Sequence, residues 1–328
     1  MSFDYQGYPE KYLLELCDKS DLNAGCTKWK YGCTENYSQG RLYRECARFP
    51  KWKSLYVYSE HGIEFDVVGQ HEVDNDAEAM FVFSEGKLQN YKKVSDKPVY
   101  KVLHPFIWYR RAYGIEKDKR ARGTIAFPAH SNAHNDSRFN IDAYIEKLQA
   151  LPEEMQPVCV CMYVDDIWKG RHKPFMEKGI PVYTAGNARD VRFVDRYYEV
   201  LKHFRYSTSN LIGSYTFYSV EMGVPFSLLG DTPLFYNNDR SEWNHHTLEQ
   251  EEAAKRLFDG IHLNINEQQN NFISSKLNLN EHLSCGEMHK ILVQAYRKKG
   301  SVCRDLMKYA SRAVRLFFKT AFNKLFKH

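Results

Sequence analysis

Between residues 123 and 231 short apolar runs alternate with helix-length amphipathic segments, and no other property of the chain narrows its fold as much. Residues 124–127 read as a strand and 141–151 as a helix with apolar positions at Ile141, Ile145, Leu148 and Leu151. Residues 157–164 form a continuous apolar strand of the kind buried on both faces. A helical piece at 174–178 leads to a strand at 180–183; then come a helix at 191–203, a short strand at 204–207, a helix at 214–222 and a strand at 225–229. Alternation at this spacing predicts βαβ units on a parallel sheet, the doubly wound α/β class, with its ligand crevice at the carboxyl ends of the strands.

The earlier part repeats the pattern more loosely. Strands are expected at 54–58, 79–83 and 98–103, each running into polar or turn-forming residues: Ser59-Glu60-His61-Gly62, Ser84-Glu85-Gly86 and His104-Pro105-Phe106. One helix is expected around 10–18; the rest of the first 50 residues is aromatic-rich and irregular, and no role is assigned to it. The charged stretch 116–123 interrupts the pattern and marks the expected crossing between two halves. A chain of 328 residues suffices for two domains, each burying its own core. The expected organisation is 1–115, 123–300 and a tail at 301–328.

Charge is unevenly placed. Residues 301–328 carry seven Lys/Arg against one acid, Asp305, a net +6 that exceeds the +5 of the whole chain and leaves residues 1–300 at −1. A nearly neutral body with a cationic tail is not the pattern of a nucleic-acid-binding domain. On a helical wheel Arg304, Lys308, Arg312, Arg315 and Lys319 share one arc, and Leu306, Tyr309, Ala313, Val314, Leu316 and Phe317 lie opposite. A basic amphipathic helix with aromatics suits an anionic membrane surface; the alternative is a C-terminal helix packed on the body. The opening residues hold no signal-like run and no window offers a membrane span, so a cytoplasmic protein, peripheral on the inner membrane, is expected. The eight cysteines are expected to be reduced, and the irregular spacing of Cys17, Cys26, Cys33 and Cys46 argues against a zinc cluster.

The sharpest local signal is Tyr206-Ser207-Thr208-Ser209-Asn210-Leu211-Ile212-Gly213-Ser214-Tyr215. A strand ends, hydroxyl and amide side chains cluster, and a glycine precedes a helix. Such a helix start favours a phosphate, with an ordinary N-cap cluster as the alternative. With its continuation, residues 208–231 (TSNLIGSYTFYSVEMGVPFSLLGD) resemble the donor-binding corner of GT-B glycosyltransferases, where a Ser/Thr/Gly turn meets the nucleotide phosphates and a Gly-x-Pro leads to the next strand. The resemblance implies two Rossmann-like domains facing a cleft, a nucleotide-sugar co-substrate, no resident cofactor, and donor contacts from Thr208, Ser209, Asn210, Gly213, Ser214, Tyr218 and Glu221. The paired-glutamate pattern of many members is absent, which leaves the nucleotide open. Residues 123–136 (GTIAFPAHSNAHND) fit the same layout and bring His130, Ser131, Asn132 and His134 to one loop, for donor-phosphate contact, transition-state charge stabilisation or plain loop bonding. The two histidines have no helix beneath them and no third ligand nearby, so no metal is expected.

Glu60 and His61, at the end of the strand 54–58, are the candidates for the base that takes the acceptor hydroxyl proton, and His130 is the third catalytic candidate. Asp165 and Asp166 close an apolar strand, for ribose or base contact or as a helix N-cap. Asp74-Asn75-Asp76 reads as a turn. The expected function is transfer of a sugar from a nucleotide-sugar to a glycan or glycolipid acceptor of surface-polysaccharide assembly. An epimerase-like enzyme of the same fold, or a non-catalytic binding protein of an assembly complex, are the alternatives.

Overall fold

Ten strands organise the described residues: β1 (Tyr58–Ser59), β2 (Met80–Val82), β3 (Val99–Lys101), β4 (Thr124–Ala126), β5 (Asn135–Arg138), β6 (Val158–Cys161), β7 (Val182–Tyr183), β8 (Tyr206–Ser209), β9 (Phe226–Leu228) and β10 (Leu234–Asn237). They come from a computed structural model that describes residues 3–18, 30–63, 65–132, 134–237, 239, 241 and 249–325. The chain forms two compact units. One gathers the described residues of 1–20, 110–188 and 193–277; the other gathers those of 21–109, 189–192 and 278–328. The crossing thus falls before Arg110 rather than in the charged stretch 116–123, and the division differs from the expected 1–115 and 123–300 at both ends.

In the first unit five parallel strands stand in the order β7-β6-β4-β8-β9. Ranked by sequence this is 3-2-1-4-5, the doubly wound order whose reversal lies between β4 and β8. β6 (Val-Cys-Val-Cys) is apolar because both its faces are covered. β8 is equally buried yet reads Tyr-Ser-Thr-Ser. Its hydroxyls are satisfied inside the sheet: Ser207 donates to the Pro225 carbonyl at 3.1 Å and Thr208 to the Ser227 carbonyl at 2.8 Å. That is why this strand sits two residues later than expected, and why Thr208 and Ser209 belong to it rather than to the turn. The core of the unit joins Ala126, Ile145, Leu148, Val160 and Val182 to Leu13 and Cys17. The last two come from the helix Glu10–Cys17, so the N-terminal segment completes this unit. Tyr8 N–H donates to the Val182 carbonyl at 2.7 Å, and a Cβ on Gly7 would stand 2.6 Å from the Val182 nitrogen, which leaves only glycine there. β5 and β10 form an antiparallel pair that alternation alone does not announce.

The second unit has three parallel strands in the order β1-β2-β3. Tyr43, Phe49, Leu55, Val57, Phe81 and Phe83 pack with Met288, Leu292 and Tyr296 of the helix Cys285–Lys299. Cys46 and Cys285 form a disulfide across that packing, so the expected set of reduced thiols is corrected by one pair. The two cysteines lie 239 residues apart in sequence, a separation no spacing rule reads. Cys17, Cys33, Cys159, Cys161 and Cys303 are not disulfide-bonded, and Cys26 lies outside the described residues.

Candidate functional site

In the first unit the loops after β4, β6, β8 and β9 meet at the carboxyl end of the sheet. β4 runs on by one bond, Phe127 N–H to the Thr208 carbonyl at 2.8 Å. Beyond it the buried Asn210 ties three loops together: its Oδ1 accepts from Ala129 N–H at 2.8 Å and its Nδ2 donates to the Asp231 carbonyl at 3.3 Å. Gly230, at φ +100°, lets the β9 loop close on this clamp, since a Cβ there would meet the Tyr144 ring at 2.8 Å.

His130 follows on the β4 loop, half-buried. Its Nδ1 lies 3.0 Å from the Ser131 carbonyl, and its ring centroid is 4.4 Å from that of Tyr163, which follows β6. A ring held at one nitrogen and against one face has its orientation fixed. Ser131 is fully buried and structural: its N–H donates to Asp166 at 3.1 Å, and its hydroxyl lies 2.8 Å from Arg171 and 3.2 Å from Asp136. Burial raises the Asp166 carboxyl, against the opposing pull of His130, Ser131 and Arg171. Burial also pushes Asp136 up, but Lys169, Arg138 and Arg171 outweigh it and hold that carboxyl at about 2. Asn132 accepts from the N–H groups of His134 and Asn135 at 2.7 and 2.8 Å, a local turn bond, and His134 is exposed. Asp165 and Asp166 stand in the first turn of the helix Val164–Trp168 rather than at the end of a strand; Asp165 is half-buried.

The turn after β8 is shorter than its hydroxyl content suggests. Thr208 is engaged in the sheet, and the Ser209 hydroxyl lies 2.9 Å from the Tyr215 hydroxyl and accepts from Leu211 N–H. Gly213 caps the helix Ser214–Glu221 without a side-chain bond to its first turn, and Ser214 is half-buried. A helix start of this kind suits an anion. Tyr218 packs edge-on against Tyr197 in the core, the ring centroids 5.8 Å apart. Glu221, at the far end of the helix, is held by Arg110 at 2.6 and 2.7 Å and by Arg111 at 3.1 Å. Its carboxylate is a structural anchor, and the resemblance that placed it among the donor contacts did not register an arginine 111 residues away.

In the second unit Glu60 is buried. Its Oε2 accepts from Phe83 N–H at 2.8 Å and its Oε1 faces Lys87 at 3.5 Å; Lys87 also pairs with Glu72 at 3.0 Å. This engages the expected base in a buried charge network. His61 is half-buried beside Tyr37, ring centroids 5.0 Å apart, and its carbonyl accepts from Gln39. His104 is wholly buried, its pKa pushed down to about 3 by burial, and its Nδ1 accepts from Phe106 N–H. Among the described residues no three His, Cys, Asp or Glu side chains converge as metal ligands.

The tail forms the helix Val302–Leu325. Arg304, expected among the membrane-facing cations, donates instead to the Tyr56 hydroxyl at 2.6 Å. Lys308 and Arg312 are half-buried, Arg315 and Phe317 are exposed, and the Lys319 side chain lies outside the described residues. No described helix is long and apolar enough to cross a membrane.

No protein-family model matches the sequence, and no curated protein matches it. Among solved structures the chain is distantly similar to TarM, at 13% identity and a TM-score of 0.29, over 73% of this chain and 44% of that one. It is similar to the same extent to an S. aureus TarM variant in complex with fondaparinux, alpha-GlcNAc-glycerol and UDP, with a TM-score of 0.27 and 13% identity. The chain spans less than half the length of either.

Proposed function

We propose that this protein transfers a sugar from a nucleotide-sugar donor to a lipid-linked or surface-polysaccharide acceptor at the inner face of a membrane, as a metal-independent GT-B-type enzyme. One observation carries the proposal: the reversal of strand order between β4 and β8. Ligands of doubly wound sheets bind outside the carboxyl ends of the strands at such a switch point. Here that place holds the half-buried His130 and the glycine-capped helix start at Ser214, with Asn210 joining their loops. The helix start receives the diphosphate, and His130, through Nε2, donates to the phosphate oxygen that gains charge as the sugar leaves. Of the two expected bases, His61 is favoured over Glu60, whose carboxylate is engaged by Lys87 and Phe83 N–H.

The Cys46–Cys285 disulfide favours a second setting for the same chemistry, the oxidising side of a membrane, because such bonds are rare in reducing compartments. The test is a thermal-stabilisation screen with CMP-, UDP-, GDP- and dTDP-nucleotides on the wild type, Ser214→Ala and His130→Ala. One nucleotide class is expected to stabilise the wild type and both variants less. No shift with any of them overturns the proposal.

A further inference from the structure

We infer that the helix Val302–Leu325 is an interfacial arm that inserts its apolar face, not its cationic stripe, into the anionic surface of a lipid bilayer. The proposed function enters only in the choice of a lipid-borne acceptor; lipid contact is measured without any sugar.

The arm has a fixed root. Asp305 is buried and accepts from Ser54 N–H at 3.0 Å, while Arg304 donates to the Tyr56 hydroxyl and, at 3.4 Å, to the Lys299 carbonyl. The preceding helix Cys285–Lys299 is held on the second unit by Met288, Leu292 and Tyr296 and by the disulfide. Past this root the apolar side chains lose their cover. Met307 is 62% exposed, Phe317 71% and Phe318 66%, with Leu306 and Val314 also exposed. At about 100° per residue, Leu306, Ala310, Ala313, Val314 and Phe317 share an arc of about 100°, and all five are exposed. Among the described side chains of this helix, Asp305, Lys308, Tyr309 and Arg312 are those with reduced exposure. A C-terminal helix packed on its own body would show the reverse, with the apolar arc covered and the cations outward.

Charge names the occupant. Asp305 is the only acid of residues 301–328 and is hidden at the root, so the remaining charges of the arm, Lys308, Arg312 and Arg315 among them, are cationic. An exposed apolar arc opposed by cations, on a helix with no further acid, fits acyl chains beneath anionic headgroups. No described helix is apolar enough to span a bilayer, so the arm lies in the interface.

The full chain is sedimented with vesicles of phosphatidylglycerol and phosphatidylcholine, and with phosphatidylcholine alone. Wild type is expected to pellet with the anionic vesicles. Phe317→Ser/Phe318→Ser is expected to bind them about tenfold or more weakly, and Lys308→Gln/Arg312→Gln/Arg315→Gln to lose the preference for anionic lipid. The melting temperature of the Phe317→Ser/Phe318→Ser variant should match wild type, since neither ring packs on the body; this separates lost insertion from misfolding. Absence of wild-type binding, equal binding by the phenylalanine variant, or self-association of the arm in place of vesicle binding overturns the inference. None of these outcomes alters the nucleotide screen, so the two proposals fail separately.

Discussion

Replacing Lys87 by methionine removes the cation from between two carboxylates that have no route to water. Lys87 is fully buried, 3.0 Å from Glu72 and 3.5 Å from Glu60, and both glutamates are buried with it. The second oxygen of each carboxylate is fixed by backbone, Glu60 by Phe83 N–H and Glu72 by Gly69 N–H, both at 2.8 Å. Neither side chain can swing out without breaking a further bond. Methionine keeps the aliphatic stem, so the change is one of charge rather than packing. Breaking a buried pair by deleting one partner costs about 3–5 kcal/mol, and two stranded carboxylates put this variant at the upper end. The corresponding fall in Tm is about 10 °C or more. Urea unfolding followed by tryptophan fluorescence measures the loss of free energy, and a thermal melt the fall in Tm. The triple variant Lys87→Met/Glu60→Gln/Glu72→Gln carries no stranded charge and should recover at least half of the loss. A Lys87→Met protein within about 1 kcal/mol of wild type, or a triple variant no more stable than the single one, would refute the reasoning. Glu60→Gln alone distinguishes the two roles of that residue. A structural Glu60 loses stability, whereas a catalytic base would lose turnover at unchanged stability.

Acid stability should report Asp136. A carboxyl held at about 2, below its unfolded value of about 4, contributes stability that is whole above pH 4 and vanishes as pH falls through 2. Asp136→Asn should lower stability at neutral pH and flatten the decline between about pH 4 and 2; an acid limb identical to wild type would count against the Lys169–Arg138–Arg171 cage. Cys46 and Cys285 should be recovered as one linked peptide in a non-reducing digest. Reduction or Cys46→Ser should lower stability by about 2–4 kcal/mol, and a digest with both thiols free removes the bond and the case for an oxidising compartment with it.

The alternation of strand and helix from β4 to β9 was legible because period and segment length depend on neighbours a few residues away. Strand ends were not. Leu55, Tyr56 and Val57 are apolar and buried, yet only Tyr58–Ser59 enters the ladder, because pairing requires a partner strand at the right height. Thr208 and Ser209 read as a turn and lie in a strand, since a hydroxyl looks the same in sequence whether it meets water or a neighbouring carbonyl. Asp165 and Asp166 read as a strand end and open a helix.

The residues alone announced the α/β class, the chain order of the five parallel strands of the first unit, and the separation of a cationic, apolar-faced tail from a nearly neutral body. Each of these follows from local periodicity and composition. The fold assigned the polar side chains their partners. Glu221 belongs to Arg110, Glu60 to Lys87, Ser131 to Asp166 and Arg171, Arg304 to Tyr56, and the Nδ1 of His130 lies against the Ser131 carbonyl. A buried polar group must find a partner wherever the fold supplies one, and most of these partners stand tens to hundreds of residues away, beyond the reach of local pattern.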